Sequence, residues 1–152
     1  MYVSEIMTKA SITESASEPI RAAAARMWAK QTGSLLVMDG DRLIGIITER
    51  DVMKCIARGL DVETTPVSAV MTRTVQTVSP YTSVNDAARQ MAARWIRHLP
   101  VTEDGVVVGM VSQRDLVGIF AALSKEPDSI ELASDELVRE RRLARIESGD
   151  LD

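Results

Sequence analysis

One cysteine, one histidine and five aromatic residues are spread over 152 positions. Each scarcity excludes something. A lone Cys55 rules out an intramolecular disulfide and a multi-cysteine zinc site. The residue reads as a buried helix thiol rather than a nucleophile. His98 has no second imidazole with which to share a metal, and a lone histidine before a strand reads first as a packing or surface residue. With so few aromatics the core must be aliphatic, drawn from Val, Ile, Leu, Ala and Met, and the eight methionines are adaptable core filler. No uncharged apolar run approaches the roughly 18 residues of a membrane span. The opening MYVSEIMTKA lacks a charged-then-apolar signal pattern, so the cytoplasm is the expected compartment. Glycine-rich phosphate loops, Gly-x-Ser-x-Gly elbows and His-Glu-x-x-His are absent. Nothing pairs a nucleophile with a base, and the expectation is not an enzyme.

Charge is also missing where it would matter for nucleic acid. The net charge is −4, and residues 125–152, with five basic and nine acidic side chains, account for all of it. The preceding region carries 13 of each sign. A neutral body with an acidic tail disfavours non-specific nucleic-acid binding. The cluster Arg139, Arg141, Arg142 and Arg145 is the one stretch that keeps that alternative open.

What the chain does have is an internal repeat. Shifted by 64 residues, 3–51 lies on 67–115 without a gap, with 15 of 49 positions identical; chance gives roughly three. Met7-Thr8 falls on Met71-Thr72, Ala23-Ala24 on Ala87-Ala88, Gly45 on Gly109 and Arg50-Asp51 on Arg114-Asp115. Units this short do not each build a full core, so the two should pack on one another.

Each copy reads alike. Short amphipathic turns, 3–7 and 67–71, come first. Helices are predicted over about 19–31 and 83–95, with Ala23, Ala24, Met27 and Ala87, Ala88, Met91 forming the apolar faces. Two hairpins follow: 35–38 turning through Asp39-Gly40-Asp41 into 43–48, and 99–102 turning through Glu103-Asp104-Gly105 into 106–112. Their strands are almost continuously apolar, as when both faces are covered. Gly45 and Gly109 mark a close backbone approach or a bulge. Second helices are expected over about 49–58, stopped by Gly59, and 113–124. The fold class is therefore α/β, two β-α-β-β-α repeats packed with pseudo-twofold symmetry through their small sheets. The boundaries are 1–60, 61–124 and a tail, 125–152, that is helical over 128–146 or partly frayed. Trp28 and Trp95, near the ends of the first helices, are either packing anchors or part of a dimer contact.

The chain resembles a pair of cystathionine-β-synthase (CBS) domains, one Bateman module. The residues that carry the likeness are Gly45-Ile46-Ile47-Thr48-Glu49-Arg50-Asp51 and Gly109-Met110-Val111-Ser112-Gln113-Arg114-Asp115. Ile6-Met7-Thr8, Val70-Met71-Thr72 and Ile96-Arg97-His98-Leu99-Pro100-Val101 support it. The likeness covers residues 3 to about 122 and leaves the tail outside.

These residues offer specific chemistry. A helix begins directly after Thr48, and its free N–H groups favour an anion. Thr48 or Ser112 can donate to a phosphate. Asp51 or Asp115 can accept both hydroxyls of a ribose. Arg50 and Arg114 can neutralise phosphate charge, while Ile46 and Met110 suit a purine face. Thr-x-x-Asp and Ser-x-x-Asp are also capping-box patterns, and the two roles can coexist in an empty protein.

The resemblance implies clefts that draw on both repeats. One joins Ile46, Thr48, Arg50 and Asp51 to Thr72, Thr77, Ile96 and Arg97, with His98 nearby. The other joins Met110, Ser112, Arg114 and Asp115 to Thr8, Thr13, Thr32 and Gly33. Because only the first has an arginine at the pre-strand position, the Asp51 cleft is expected to bind phosphate more strongly. The implied function is a regulatory sensor of AMP, ADP or ATP that requires no cofactor and forms a disc-like homodimer, its Ala-rich helix faces suiting close packing. It would act on an unidentified regulated protein. The competing reading is an interaction module whose clefts stay empty.

Overall fold

In a computed structural model the described residues are 1–9 and 11–123. The expected tail helix over 128–146 and its arginine cluster lie outside them. The chain divides into two units, Met1–Leu116 and Val117–Asp152. The first unit holds both repeats as far as the first turn of the last described helix.

A 3-10 turn at Val3–Glu5 leads to β1 (Thr13–Ser15), α1 (Ile20–Lys30), β2 (Ser34–Asp39), β3 (Arg42–Thr48) and α2 (Glu49–Ala57). The second copy repeats a 3-10 turn at Val67–Ala69, then α3 (Val84–Arg94), β4 (His98–Glu103), β5 (Val106–Ser112) and α4 (Gln113–Leu123). The first helices bury Ala23 and Met27, or Ala87 and Met91. Their stripe of small residues and methionines seats each helix on its sheet. Gly59, at φ +69°, follows the end of α2, where Leu60 N–H donates to Cys55 C=O at 3.0 Å. In the second hairpin Asp104 and Gly105 both have positive φ, the backbone that a two-residue type I′ turn requires.

The β-α-β-β-α order holds in full only for the first repeat. Its sheet has three strands, β1-β2-β3, with β1 parallel to β2. The second sheet is β4-β5 alone, and the counterpart of β1 shrinks to one parallel bridge, Val78 to Val101. Proline explains the loss. Leu36 N–H donates to Ile12 C=O at 3.0 Å, but the matched residue, Pro100, has no N–H to give. Pro80, where the first repeat has Ala16, removes another donor.

The leaders are exchanged between the repeats. Val3 is fully buried among Val84, Ala87, Met91, Leu99 and Val111 of the second copy. Val67 and Met71 are buried among Ala23, Met27, Leu35 and Ile47 of the first. Backbone bonds fasten each leader across the join: Val3 N–H to Thr82 C=O at 2.9 Å, and Val67 N–H to Glu18 C=O at 2.8 Å. Each half completes the other's core, the physical reason for a pair. Met7, the partner of Met71 by position, is only partly buried.

Gly45 and Gly109 serve both of the purposes expected of them. The pairing slips after Val37–Gly45 and after Val101–Gly109, leaving Ile44 and Val108 as bulge residues. Both glycines also lie under the exchanged leaders. A Cβ on Gly109 would stand 2.8 Å from Thr8 O and 2.8 Å from Met7 Sδ; one on Gly45 would stand 2.6 Å from Met71 Sδ and 3.1 Å from Thr72 O.

Trp28 is 81% exposed and is buried in neither core cluster of the described residues. Trp95 closes α3 in the left-handed conformation, φ 55°.

Candidate functional site

Each motif lies where a strand hands over to a helix. Thr48 ends β3 in extended conformation, and α2 begins at Glu49. The Thr48 N–H and hydroxyl both donate to Asp51 Oδ2, at 2.8 and 3.0 Å, and Asp51 N–H reaches back to Thr48 Oγ1 at 3.4 Å. The second copy repeats this closely. Ser112 N–H and hydroxyl donate to Asp115 Oδ2 at 2.8 and 2.7 Å, and Asp115 N–H to Ser112 Oγ at 3.3 Å. Both motifs are thus capping boxes. In both, Oδ2 alone takes the capping bonds. Both aspartates are half-buried, and Arg50 and Arg114 beside them are exposed.

The exchanged leaders bring the other repeat to these helix starts. Ile46 N–H donates to Thr72 C=O at 3.0 Å, and Thr72 N–H to Ile46 C=O at 2.9 Å. Thr8 and Met110 exchange the same pair of bonds, both at 2.9 Å. Two residues before each N-cap, the strand of one repeat is therefore zipped to the leader of the other. Thr8 and Thr72 are exposed, Met110 is half-buried and Ile46 is 9% exposed.

The remaining candidates divide. Thr13 is exposed at the start of β1, paired with Leu36 of its own repeat. Thr77 is exposed beside the Val78–Val101 bridge. Thr32 turns its hydroxyl to Ser34 C=O at 3.2 Å. These three stay within their own repeat in the bonds described. Ile96 is half-buried and packs on the second core.

At the pre-strand position the repeats part company. Gly33 C=O accepts from Glu49 N–H at 3.0 Å, and Arg97 C=O accepts from Gln113 N–H at 2.8 Å. The backbone is matched, but the side chains are not. The Arg97 guanidinium crosses to the first repeat and pairs with the Glu49 carboxylate. Sequence reasoning passed over Glu49. Its only signal was that Glu49 faces Gln113 in the alignment while Gly33 faces Arg97, so that the acid and the base are both unmatched.

His98 faces charges assigned to both clefts. Burial holds its pKa below the ordinary histidine value, with the positive charge of Arg97, and less so Arg114, adding to this; Glu49 and Asp115 oppose it. This shift favours the neutral imidazole over the charged one. Cys55 is buried, and burial first, then the Asp51 charge, push its thiol pKa up. That is the reverse of what a nucleophile needs. Among the described residues, no cluster of three His, Cys, Asp or Glu side chains could hold a metal. No described helix is long and apolar enough to cross a membrane.

Comparison with known proteins agrees with this architecture. The CBS domain family model matches twice, at residues 3–58 and 67–122. The CBS domain-containing protein YhcV of Bacillus subtilis is 35% identical over 115 residues, 75% of this chain and 81% of that protein. The CBS domain pair of protein MJ0100, solved with 5′-methylthioadenosine and S-adenosyl-L-methionine, superposes with TM-score 0.75 at 29% identity, over 82% of this chain and 98% of that one. The CBS domain protein PAE2072 of Pyrobaculum aerophilum, solved with AMP, gives TM-score 0.71 at 25% identity, over 88% and 99%. Two family matches in tandem and an exchanged-leader fold lead to one conclusion: this chain belongs to the CBS domain family, as a tandem pair.

Proposed function

We propose that the chain is a regulatory module that binds an adenine nucleotide, AMP, ADP or ATP, in clefts shared between its repeats. One observation carries this reading: the exchanged bonds Ile46–Thr72 and Met110–Thr8 set each strand-to-helix junction against the opposite leader. Such a junction offers the positive end of a helix to phosphate, and Oδ1 of Asp51 or Asp115, outside the capping bonds, offers a carboxylate oxygen to a ribose. The ligands of MJ0100 and PAE2072, all adenosine derivatives, support the class of ligand. The Asp51 cleft is the stronger phosphate site because Arg97 stands at its edge. No catalysis is proposed. A ligand acts by favouring one arrangement of the two halves over another.

A homodimer, working on a protein partner in the cytoplasm, completes the reading. Exposed Trp28 on α1 and Met53 and Ile56 on α2 support an apolar contact of this kind.

A ligand-free interaction module is the second reading, favoured by the capping boxes, since the caps alone account for Thr48, Asp51, Ser112 and Asp115. A thermal-shift screen with AMP, ATP, S-adenosylmethionine and NAD separates the two. Ligand at a hundred times its dissociation constant stabilises by about 2.7 kcal/mol, a rise of roughly 5–10 °C for a chain of this size. No shift with any of the four at millimolar concentration favours the ligand-free module.

A further inference from the structure

The pseudo-twofold symmetry of the backbone breaks in charge at one point. Glu49 opens α2, and its carboxylate lies against Gly33: a Cβ on that glycine would stand 3.3 Å from the carboxyl carbon and 3.4 Å from either oxygen. The same carboxylate receives the Arg97 guanidinium from the other repeat. At the matched place the second repeat has Gln113, a neutral amide, and the residue opposite is Gly33, which has no side chain to offer. The acid and the base therefore occur together on one side only. Arg97 is the cation that a phosphate in the Asp51 cleft would seek, and Glu49 already holds it.

We propose that Glu49 is a specificity-determining residue of the Asp51 cleft, an internal anion that competes with the ligand's phosphate for Arg97. This rests on the nucleotide reading of the clefts. The two side chains are about half exposed, 47% for Arg97 and 54% for Glu49. Water therefore screens the pair, and it is weak enough to be opened by a ligand. Opening it has a cost that falls only on ligands needing the guanidinium. A displaced Glu49 also leaves a negative charge at the helix start, where the phosphate would approach. Both effects weaken a phosphorylated nucleoside and leave the unphosphorylated one untouched. The cleft is thereby less selective for phosphate than its arginine alone would make it.

The test is calorimetric titration of the full chain with AMP and with adenosine, comparing wild type with Glu49→Gln. The glutamine is the residue the second repeat already carries at this helix position, so the variant should fold. The expected result is AMP affinity raised about three- to tenfold with adenosine affinity unchanged. In an Arg97→Ala background the gain for AMP should shrink, since the competition is for that side chain. AMP affinity in Glu49→Gln that is equal to or below wild type, while AMP still binds, overturns this inference and leaves the nucleotide reading standing. An equal gain for AMP and adenosine also overturns it, because a general opening of the cleft would then be the cause. Failure of both proteins to bind either ligand removes the nucleotide reading, and this inference with it.

Discussion

Replacing Gly109 with alanine tests the leader exchange on which the clefts depend. The added methyl would stand 2.8 Å from the Thr8 carbonyl oxygen, 2.8 Å from Met7 Sδ and 3.2 Å from Met7 Cγ. A methionine side chain can swing aside, but the Thr8 carbonyl is backbone. It is also held by the Thr8–Met110 bond pair, both bonds at 2.9 Å. Overpacking costs about 1–3 kcal/mol, and each backbone bond released adds about 1 kcal/mol. With the one bond that the Thr8 carbonyl accepts released, the sum is about 2–4 kcal/mol, or a fall in Tm of roughly 5–15 °C. Gly45→Ala meets mainly the flexible end of Met71, at 2.6 Å, with the Thr72 carbonyl further off at 3.1 Å. It should cost less, about 1–2 kcal/mol. Urea unfolding of the two variants, alone and with Met71→Ala or Met7→Ala, measures the difference. Met71→Ala should absorb most of the Gly45→Ala penalty, whereas Met7→Ala should leave most of that for Gly109→Ala. A Gly45→Ala cost equal to or above that of Gly109→Ala would refute the reasoning.

Two further perturbations exploit asymmetries between the repeats. Glu14 is a buried carboxylate, its side chain 2% exposed, held by Arg26 at 3.0 Å and by Ser15 N–H at 3.0 Å; the second repeat has Val78 and Gln90 at these positions. Arg26→Ala should cost about 1–3 kcal/mol in denaturant unfolding, because it strands the acid. The double change Glu14→Val with Arg26→Gln should return to within about 1 kcal/mol of wild type, and a larger loss in the double variant than in the single one would contradict this. His98 supplies a pH test. Its folded-state pKa is lowered by burial and by Arg97, so on acidification the unfolded chain takes up its proton first. The stability this residue confers is complete above about pH 6.5 and is lost as pH falls from there through the folded pKa. His98→Ser, which copies Ser34 of the first repeat, should reduce the drop in urea midpoint between pH 7.5 and 5.5; an unchanged drop would mean the imidazole is not desolvated.

Much of the fold was legible because the chain states it twice. Helices placed at 19–31 and 83–95 run over Ile20–Lys30 and Val84–Arg94, and the strand-to-helix junctions fall at Thr48 and Ser112 as the motifs suggested. The matched glycines announced the close approach of the leaders. Three things were not legible. The loss of the first strand in the second repeat depends on a missing N–H at Pro100, which matters only once Ile12 is known to be the acceptor in the other copy. The exchange of leaders is a long-range event: local periodicity carries no sign of which core Val3 or Val67 enters, and only the family resemblance, which set Thr72 with Ile46 and Thr8 with Met110, pointed to it. The Glu49–Arg97 pair joins residues 48 positions apart, and an acid opening a helix has an ordinary explanation in the helix dipole. In the candidate site, the capping geometry of Thr48 and Asp51 was readable from spacing alone, because an N-cap and its third helical residue are neighbours in sequence.

The most direct measurement of the central claim is a calorimetric titration of AMP into wild type, Asp51→Ala and Asp115→Ala, with urea unfolding run in parallel. Each alanine removes the third-position carboxylate of a capping box and leaves the N-cap residue in place, so it should cost on the order of 1 kcal/mol of stability, leaving the protein folded. The account predicts that wild type binds, that Asp51→Ala removes the stronger binding event and that Asp115→Ala retains it. Binding that survives in Asp51→Ala but disappears in Asp115→Ala would reverse the ranking of the clefts. Binding unaffected by either change would contradict the account itself, since the carboxylates would then be caps and nothing more.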